Sequence, residues 1–367
     1  MNERILCANP KLQYMENHGE ILGAITHVLE SESYVLGESV ELFEDEFATY
    51  IGASYCVGVN SGTDALILAL MALDIGPGDE VITPSHTAVA TVTAIVAVGA
   101  TPVFTEVDPI TYTLDPNFLL RLINKKTKAV IVVHLYGHPC DMDSIQMITE
   151  EKGIHLIEDC AQAHGAKWAG KKVGTFGIVS CFSFYPTKNL GAIGDGGALV
   201  TSNENIANRV RGLRQYGWDT NRTSQESGRV SRLDEIQAAV LSVKLRKLDE
   251  LNGKRQNLAS LYSLNLKNSK LQLPQSNPQA EHVFHLFVIQ VENRTQIISE
   301  LNAANIFPGI HYPLPAHKHP AFMGFWDKNT QSLMTTEALS NRVLSLPMYP
   351  EMSITQIDLV CEVLKSV

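Results

Sequence analysis

Short, continuous apolar runs separated by helical stretches constrain this chain most. Ala129-Val130-Ile131-Val132-Val133, His155-Leu156-Ile157-Glu158-Asp159 and Val179-Ser180-Cys181-Phe182-Ser183-Phe184 are β-prone and too short for helices. Glu80–Thr83, Pro102–Phe104, Cys56–Asn60 and Leu199–Thr201 repeat the pattern. Helices are expected near Thr87–Val98, Asn117–Ile123, Asp143–Glu151 and Asn203–Arg214. Strands without alternation, interleaved with helices, predict a mostly parallel α/β sheet with both faces covered. Arg232–Leu251 reads as one long helix with apolar positions at helical spacing. After about Asn252 the pattern changes. Glu281–Gln290 alternates like a half-exposed strand, and Ile354–Leu364 reads as a closing helix. The expected organisation is a large α/β domain over 1–251 and a smaller α+β domain over 252–367, with the N-terminal segment able to pack on the latter.

Two residues stand where such a sheet binds ligands. Asp159 ends an apolar strand, and ligands sit at the carboxyl edge of open α/β sheets. Lys188 follows another buried strand, in Phe184-Tyr185-Pro186-Thr187-Lys188-Asn189-Leu190-Gly191. A lysine among apolar and small residues loses hydration, which lowers its pKa and frees its amine to attack a carbonyl. On that segment alone, a surface lysine after a strand reads equally well, and Asp159 alone reads as a helix N-cap. Together they match a pyridinium partner and a Schiff-base lysine, the pair that pyridoxal phosphate chemistry requires.

A seat for the phosphate is also legible. Ser61-Gly62-Thr63-Asp64 opens an Ala/Leu-rich helix directly after a strand. Such an N-terminus offers free N–H groups and a positive dipole end to an anion. Ser61 and Asp64 taken singly are ordinary caps. Ser183, near the lysine, is a further candidate phosphate ligand.

The 367 residues are 45% hydrophobic, enough for a large core or two packed domains. A net charge of −10 without a basic stripe argues against a nucleic-acid binder. Six cysteines lack CxxC pairs and histidines at metal spacing, so no metal site and a reducing, cytoplasmic location are expected. The N-terminus shows no signal-peptide pattern. The most hydrophobic region, Thr87–Phe104, is interrupted by Gly99 and Pro102 and does not read as a membrane span.

The whole pattern resembles the DegT/DnrJ/EryC1/StrS family of sugar aminotransferases, of pyridoxal-phosphate fold type I. The resemblance runs through Asn60-Ser61-Gly62-Thr63-Asp64, Gly76-Pro77-Gly78-Asp79-Glu80, Asp159-Cys160-Ala161-Gln162, Lys188, Ser231-Arg232-Leu233-Asp234-Glu235 and His311-Tyr312-Pro313. It implies Lys188 as the Schiff-base lysine and Asp159 on the pyridine nitrogen. Gln162 would contact the ring, and Gly62, Thr63 and Ser183 the phosphate. It also implies a homodimer with sites at the subunit interface, acting on a nucleotide-linked ketosugar with an amino-acid donor, glutamate, in deoxyaminosugar, lipopolysaccharide or O-antigen biosynthesis.

The chain departs from that pattern twice. Val230 stands where many relatives carry an Asn that reaches the partner subunit's cofactor phosphate, and valine cannot donate a side-chain hydrogen bond. Arg229 and Arg232 are the candidate replacements, Arg229 being favoured because it lies in the loop before the helix. Ala88 stands where relatives place an aromatic over the cofactor, which leaves His86 as the nearest substitute, although a polar turn histidine is the favoured reading of that residue.

The tail Gly194-Asp195-Gly196-Gly197 resembles members acting on 3-keto sugars, so amination at C3 of a 3-keto-deoxyhexose is expected. A 4-keto sugar or a UDP-linked 3-keto-amino sugar is the alternative. A sugar 3-dehydratase would carry histidine at the lysine position. A regulatory protein on this scaffold would leave Asp159 and Lys188 without a use. A dinucleotide-dependent dehydrogenase lacks its Gly-x-Gly-x-x-Gly turn. The polar stretch Asp219–Gly228 reads as a mobile loop near the site.

Overall fold

The computed structural model describes residues 4–326 and 332–366. Seven strands form the central sheet: β1 (Tyr55–Val59), β2 (Glu80–Pro84), β3 (Thr101–Thr105), β4 (Thr127–Val133), β5 (His155–Asp159), β6 (Val179–Ser183) and β7 (Gly197–Thr201). Their spatial order is β1-β7-β6-β5-β4-β2-β3. Only β7 runs antiparallel to its neighbours; the other pairings are parallel. No helix intervenes between β6 and β7, and without a crossover the returning strand must pair antiparallel.

Both faces of the sheet are dry. Cys181 and Leu199 pack with Leu66, Leu68 and Ile131 on one side, while Phe182 and Val200 pack with Phe43, Phe47 and Leu241 on the other. That two-sided burial explains why the strands read as continuous apolar runs. The helices that frame the site are α1 (Pro10–Glu30), α2 (Glu38–Ile51), α3 (Gly62–Ala72) and α4 (Val89–Ala97). Later come α5 (Glu235–Leu245), α6 (Leu248–Leu266) and α7 (Met334–Arg342). Glu235 caps α2 from a distance: its carboxylate accepts the N–H groups of Gly37, Ser39 and Val40 at 2.7, 2.9 and 3.2 Å. No helix among the described residues is long and apolar enough to cross a membrane.

Two sequence expectations change. The single helix expected over Arg232–Leu251 starts at Glu235 and breaks at Arg246 and Lys247. There Lys247 reaches back to α1, its Nζ donating to Asn17 and Glu20 at 2.6 Å each. The half-exposed strand expected over Glu281–Gln290 is a two-residue strand at Ala280–Glu281 and a separate strand, β8 (Phe287–Gln290), whose four residues are all buried. Phe287 and Ile289 pack into the C-terminal core, and Val288 packs with Tyr112 and Tyr136 on the opposite face. The two histidines of this stretch, His282 and His285, are also buried.

Strand β8 pairs with β9 (Val343–Leu346), antiparallel, and its last residue, Gln290, also bridges to Gln272. Ile5 and Leu6 pair with Ile306 and Phe307, which joins the N-terminal segment to the C-terminal core. This C-terminal core, distinct from those that flank the large sheet, supports the division at about residue 251 that we propose. The chain crosses that point inside α6.

Candidate active site

A cavity of about 250 Å³ opens at the carboxyl ends of the parallel strands, where the topology expects a ligand. Lys188, Asp159, Gln162, Ser183, Gly62 and Thr63 all line it.

At one end stands the first turn of α3. Ser61 caps it, its Oγ accepting the Asp64 N–H at 3.1 Å. The N–H groups of Gly62 and Thr63 have no intrahelical acceptor and point outward from the helix start. Gly62 is required by a close approach, since a Cβ there would lie 2.7 Å from Ser183 Cβ. Gly197 is required likewise, because a Cβ would lie 2.3 Å from the Ser61 carbonyl carbon. The close approach of Gly62 to Ser183 brings Ser183 beside the helix N-terminus; its Oγ accepts the Tyr185 N–H at 3.3 Å, and its hydroxyl proton can join the helix amides in donating to an anion in the cavity.

Asp159 is buried at the last position of β5. Its Oδ2 accepts from Thr91 Oγ1 at 2.8 Å and its Oδ1 from the Ala161 N–H at 3.1 Å. Burial pushes its pKa up, and Thr91, the Ala161 amide and the positive charge of Lys188 pull it down. Thr91 was not legible as a site residue; it looks like one more small residue of an apolar helix. Its spacing of four from Thr87, whose hydroxyl it meets at 3.1 Å, was the available signal.

Lys188 sits in the turn between β6 and β7. Its N–H donates to the Tyr185 carbonyl at 2.8 Å, and the Gly191 carbonyl further along accepts from the buried Lys244 Nζ at 2.6 Å. Burial lowers the Lys188 amine to about 8, with Asp159 acting in the opposite direction. An amine near 8 is partly unprotonated at neutral pH, as a nucleophile and proton carrier must be.

Gln162 is locked by both ends of its amide. Its Oε1 accepts the Tyr136 N–H at 2.6 Å and its Nε2 donates to the Tyr312 hydroxyl at 3.0 Å. Thr87, Ala88 and Ala90 form the opposing wall. His86 stands outside the cavity. It is fully buried, with Nε2 2.7 Å from the Tyr136 hydroxyl. That hydroxyl donates to the His311 carbonyl, so it accepts from His86. Burial lowers His86 to about 4, leaving a neutral ring that braces Tyr136 and does not stack in the cavity.

A second cleft, of about 490 Å³, adjoins the first through Asp195 and is lined by Asn60, Val230, Arg232 and Gln237. Arg229 is not part of either lining. Its guanidinium pairs with Asp64 at 3.3 Å. Arg232 faces the cleft. The Asp219–Gly228 stretch folds as a turn around Asp219, whose Oδ1 accepts the N–H groups of Asn221 and Thr223. None of its residues lines the cavity.

His134, Glu158 and Cys160 cluster closely enough to suggest a metal site. Their donors are already engaged. His134 Nδ1 accepts the Cys140 N–H at 3.0 Å, and its Nε2–H donates to Glu158 at 3.1 Å. Glu158 also accepts from Gly174, Phe176, Gly177 and Ser180. The cluster is a buried hydrogen-bond hub beneath β5.

Pyridoxal phosphate suits this constellation: an anion seat, a lysine of lowered pKa and a buried carboxylate border one cavity. The DegT/DnrJ/EryC1/StrS aminotransferase family model matches residues 16–365. The dTDP-3-amino-3,4,6-trideoxy-alpha-D-glucose transaminase of Streptomyces venezuelae is 46% identical over 343 residues, 93% of this chain and 90% of that protein. The UDP-N-acetyl-3-dehydro-alpha-D-glucosamine 3-aminotransferase of Acidithiobacillus ferrooxidans is 43% identical over 347 residues, 94% and 93% of the two chains. The crystal structure of S. venezuelae DesV in complex with a ketimine intermediate superposes with a TM-score of 0.97 at 44% identity, covering 100% of this chain and 98% of that one. The fold is therefore fold type I, and the cofactor is pyridoxal 5′-phosphate. With fold, cavity and sequence in agreement over nearly its whole length, the chain belongs to the DegT/DnrJ/EryC1/StrS aminotransferase family.

Proposed function

We propose that this aminotransferase moves an amino group from glutamate to C3 of a nucleotide-linked 3-keto-deoxyhexose. The observation that carries the reading is Lys188 and Asp159 bordering one cavity, with the N-terminus of α3 at its rim. When bound, pyridoxal phosphate supplies an electron sink for charge developing at the substrate carbon and carries nitrogen from one substrate to the next. Gly62, Thr63 and Ser183 hold its phosphate. Asp159, its carboxylate accepting from Thr91 and the Ala161 N–H, would hold a proton on the ring nitrogen. Gln162, fixed by Tyr136 and Tyr312, orients the ring. Lys188 would anchor the cofactor and, with its amine near 8, would carry the proton that leaves the substrate carbon.

The activities for which both relatives are named concern nitrogen at C3. The Asp195-Gly196-Gly197 tail supports the same carbon. One relative's substrate is dTDP-linked and the other's UDP-linked, so the test includes both nucleotides. Purified protein with glutamate and a 3-keto sugar nucleotide is expected to yield 2-oxoglutarate and a sugar aminated at C3 by NMR. Turnover of the 4-keto isomer alone would overturn the C3 assignment.

The working unit in this reading is a cytoplasmic homodimer. Exposed apolar side chains Tyr34, Val35, Ile193, Tyr216 and Val230 support it, since a monomer leaves them in water. Five of the six cysteines are buried and all six are free, in keeping with a reducing compartment.

A further inference from the structure

The residue after the cofactor lysine is tied to the other half of the chain. Asn189 is buried, and every polar atom of its side chain is engaged. Its Nδ2 donates to Asn252 Oδ1 at 2.8 Å and to the Val283 carbonyl at 3.1 Å. Its Oδ1 lies 3.1 Å from His285 Nδ1. Asn252 in turn donates to the His164 carbonyl at 2.8 Å. Because Asn189 Oδ1 can only accept, His285 must carry its proton on Nδ1.

His285 belongs to the irregular segment between Glu281 and β8, outside the large sheet. The backbone beside it is fixed as well: Val283 N–H donates to the Gly137 carbonyl and Leu286 N–H to the Tyr136 carbonyl, at 3.1 and 3.2 Å. Tyr136 is the residue whose N–H holds Gln162. Burial and the charge of Lys188 keep the His285 ring neutral. A neutral ring with its proton on Nδ1 is a donor of fixed direction.

We propose that His285 is a positioning residue for the transamination reaction. Through Nδ1–H it fixes Asn189, and through Asn189 it sets where the Lys188 amine enters the cavity. The seating of the C-terminal part of the chain then decides whether the lysine can reach both reacting carbons. This proposal rests on Lys188 being the cofactor lysine, and its test separates the two claims.

The test compares His285→Asn with His285→Gln in the cofactor-loaded protein. The Asn amide nitrogen can take the place of Nδ1, whereas the longer Gln amide takes the place of Nε2 and misses Asn189. Single-turnover rates for the glutamate half-reaction should fall ten- to hundredfold in the Gln variant, the scale of a small misplacement of a reacting group. The Asn variant should stay within about threefold of the parent. KM for both substrates and melting temperature should change together in the two variants. The absorbance of the lysine-bound cofactor should titrate at a shifted pH only in the Gln variant. Adding Asn189→Ala to His285→Gln should slow the reaction by less than the product of the two single effects, because both single changes break the same bond. Equal rates and equal titrations for the Asn and Gln variants would overturn the proposal and leave the role of Lys188 untouched. Absence of a lysine-bound cofactor in the parent protein would sink the reading beneath it.

Discussion

Thr91 Oγ1 donates to Asp159 Oδ2 at 2.8 Å, where the carboxylate is buried in the cavity wall. Burial raises the Asp159 pKa, and this bond is the first of the forces opposing it. Thr91→Val removes the donor while keeping the shape. The carboxyl pKa then rises, so the acid limb of the pH–rate profile moves to higher pH. A bond to a charged group contributes about 1.5–3 kcal/mol, so the limb is expected to move by about one to two pH units, with the loss in kcat falling on its acid side. An unmoved acid limb would mean that Asp159 takes no part in the rate-limiting proton balance.

Asp159→Asn tests the same carboxylate directly. The variant should still bind pyridoxal phosphate, because the phosphate seat is built from other residues. It should lose most transamination, because a neutral amide does not hold the ring nitrogen protonated. Near-parental turnover would reduce Asp159 to a cap on the Ala161 amide.

Lys188 gives a pH prediction of defined sign. An ammonium cannot attack an aldehyde, so capture of pyridoxal phosphate by the apo-protein speeds up as pH rises through the amine's pKa. Burial places that midpoint at about 8, against the ordinary lysine value of 10.5. Stopped-flow absorbance over pH 6–11 measures it. A midpoint near that of an exposed lysine would show that the amine keeps its water.

The two arginines beside Val230 can now be told apart. Arg229 is occupied by Asp64, whereas Arg232 lines the cleft next to the cofactor cavity. Arg232→Ala is therefore expected to weaken cofactor binding about ten- to hundredfold, the equivalent of about 1.5–3 kcal/mol. Arg229→Ala should weaken it less than about threefold. The reverse order would restore Arg229, the arginine that its loop position favours in the sequence.

The strand-rich half of the fold was legible because burial on both faces leaves an unbroken apolar signature, as in β4 and β5. Lys188, Asp159 and the α3 N-terminus were legible for a related reason: each directly ends or follows such a strand. Three things were hidden. The break at Lys247 depends on contacts with α1, more than two hundred residues earlier in sequence. The burial of His285 depends on a second layer that covers β8, and a histidine in an alternating stretch gives no sign of that layer. His86 lies in the right turn, but whether its ring faces the cavity or the wall was decided by Tyr136, which no local pattern announces.

The central claim is that Lys188 holds the cofactor, and borohydride reduction of the loaded protein followed by peptide mapping tests it most directly. Reduction fixes the bound cofactor on whichever lysine carries it, and the label is predicted on the peptide containing Tyr185-Pro186-Thr187-Lys188, with Lys188→Ala unlabelled and inactive yet folded. A label on Lys171 or Lys172, or an equal label in the Lys188→Ala protein, would contradict the account.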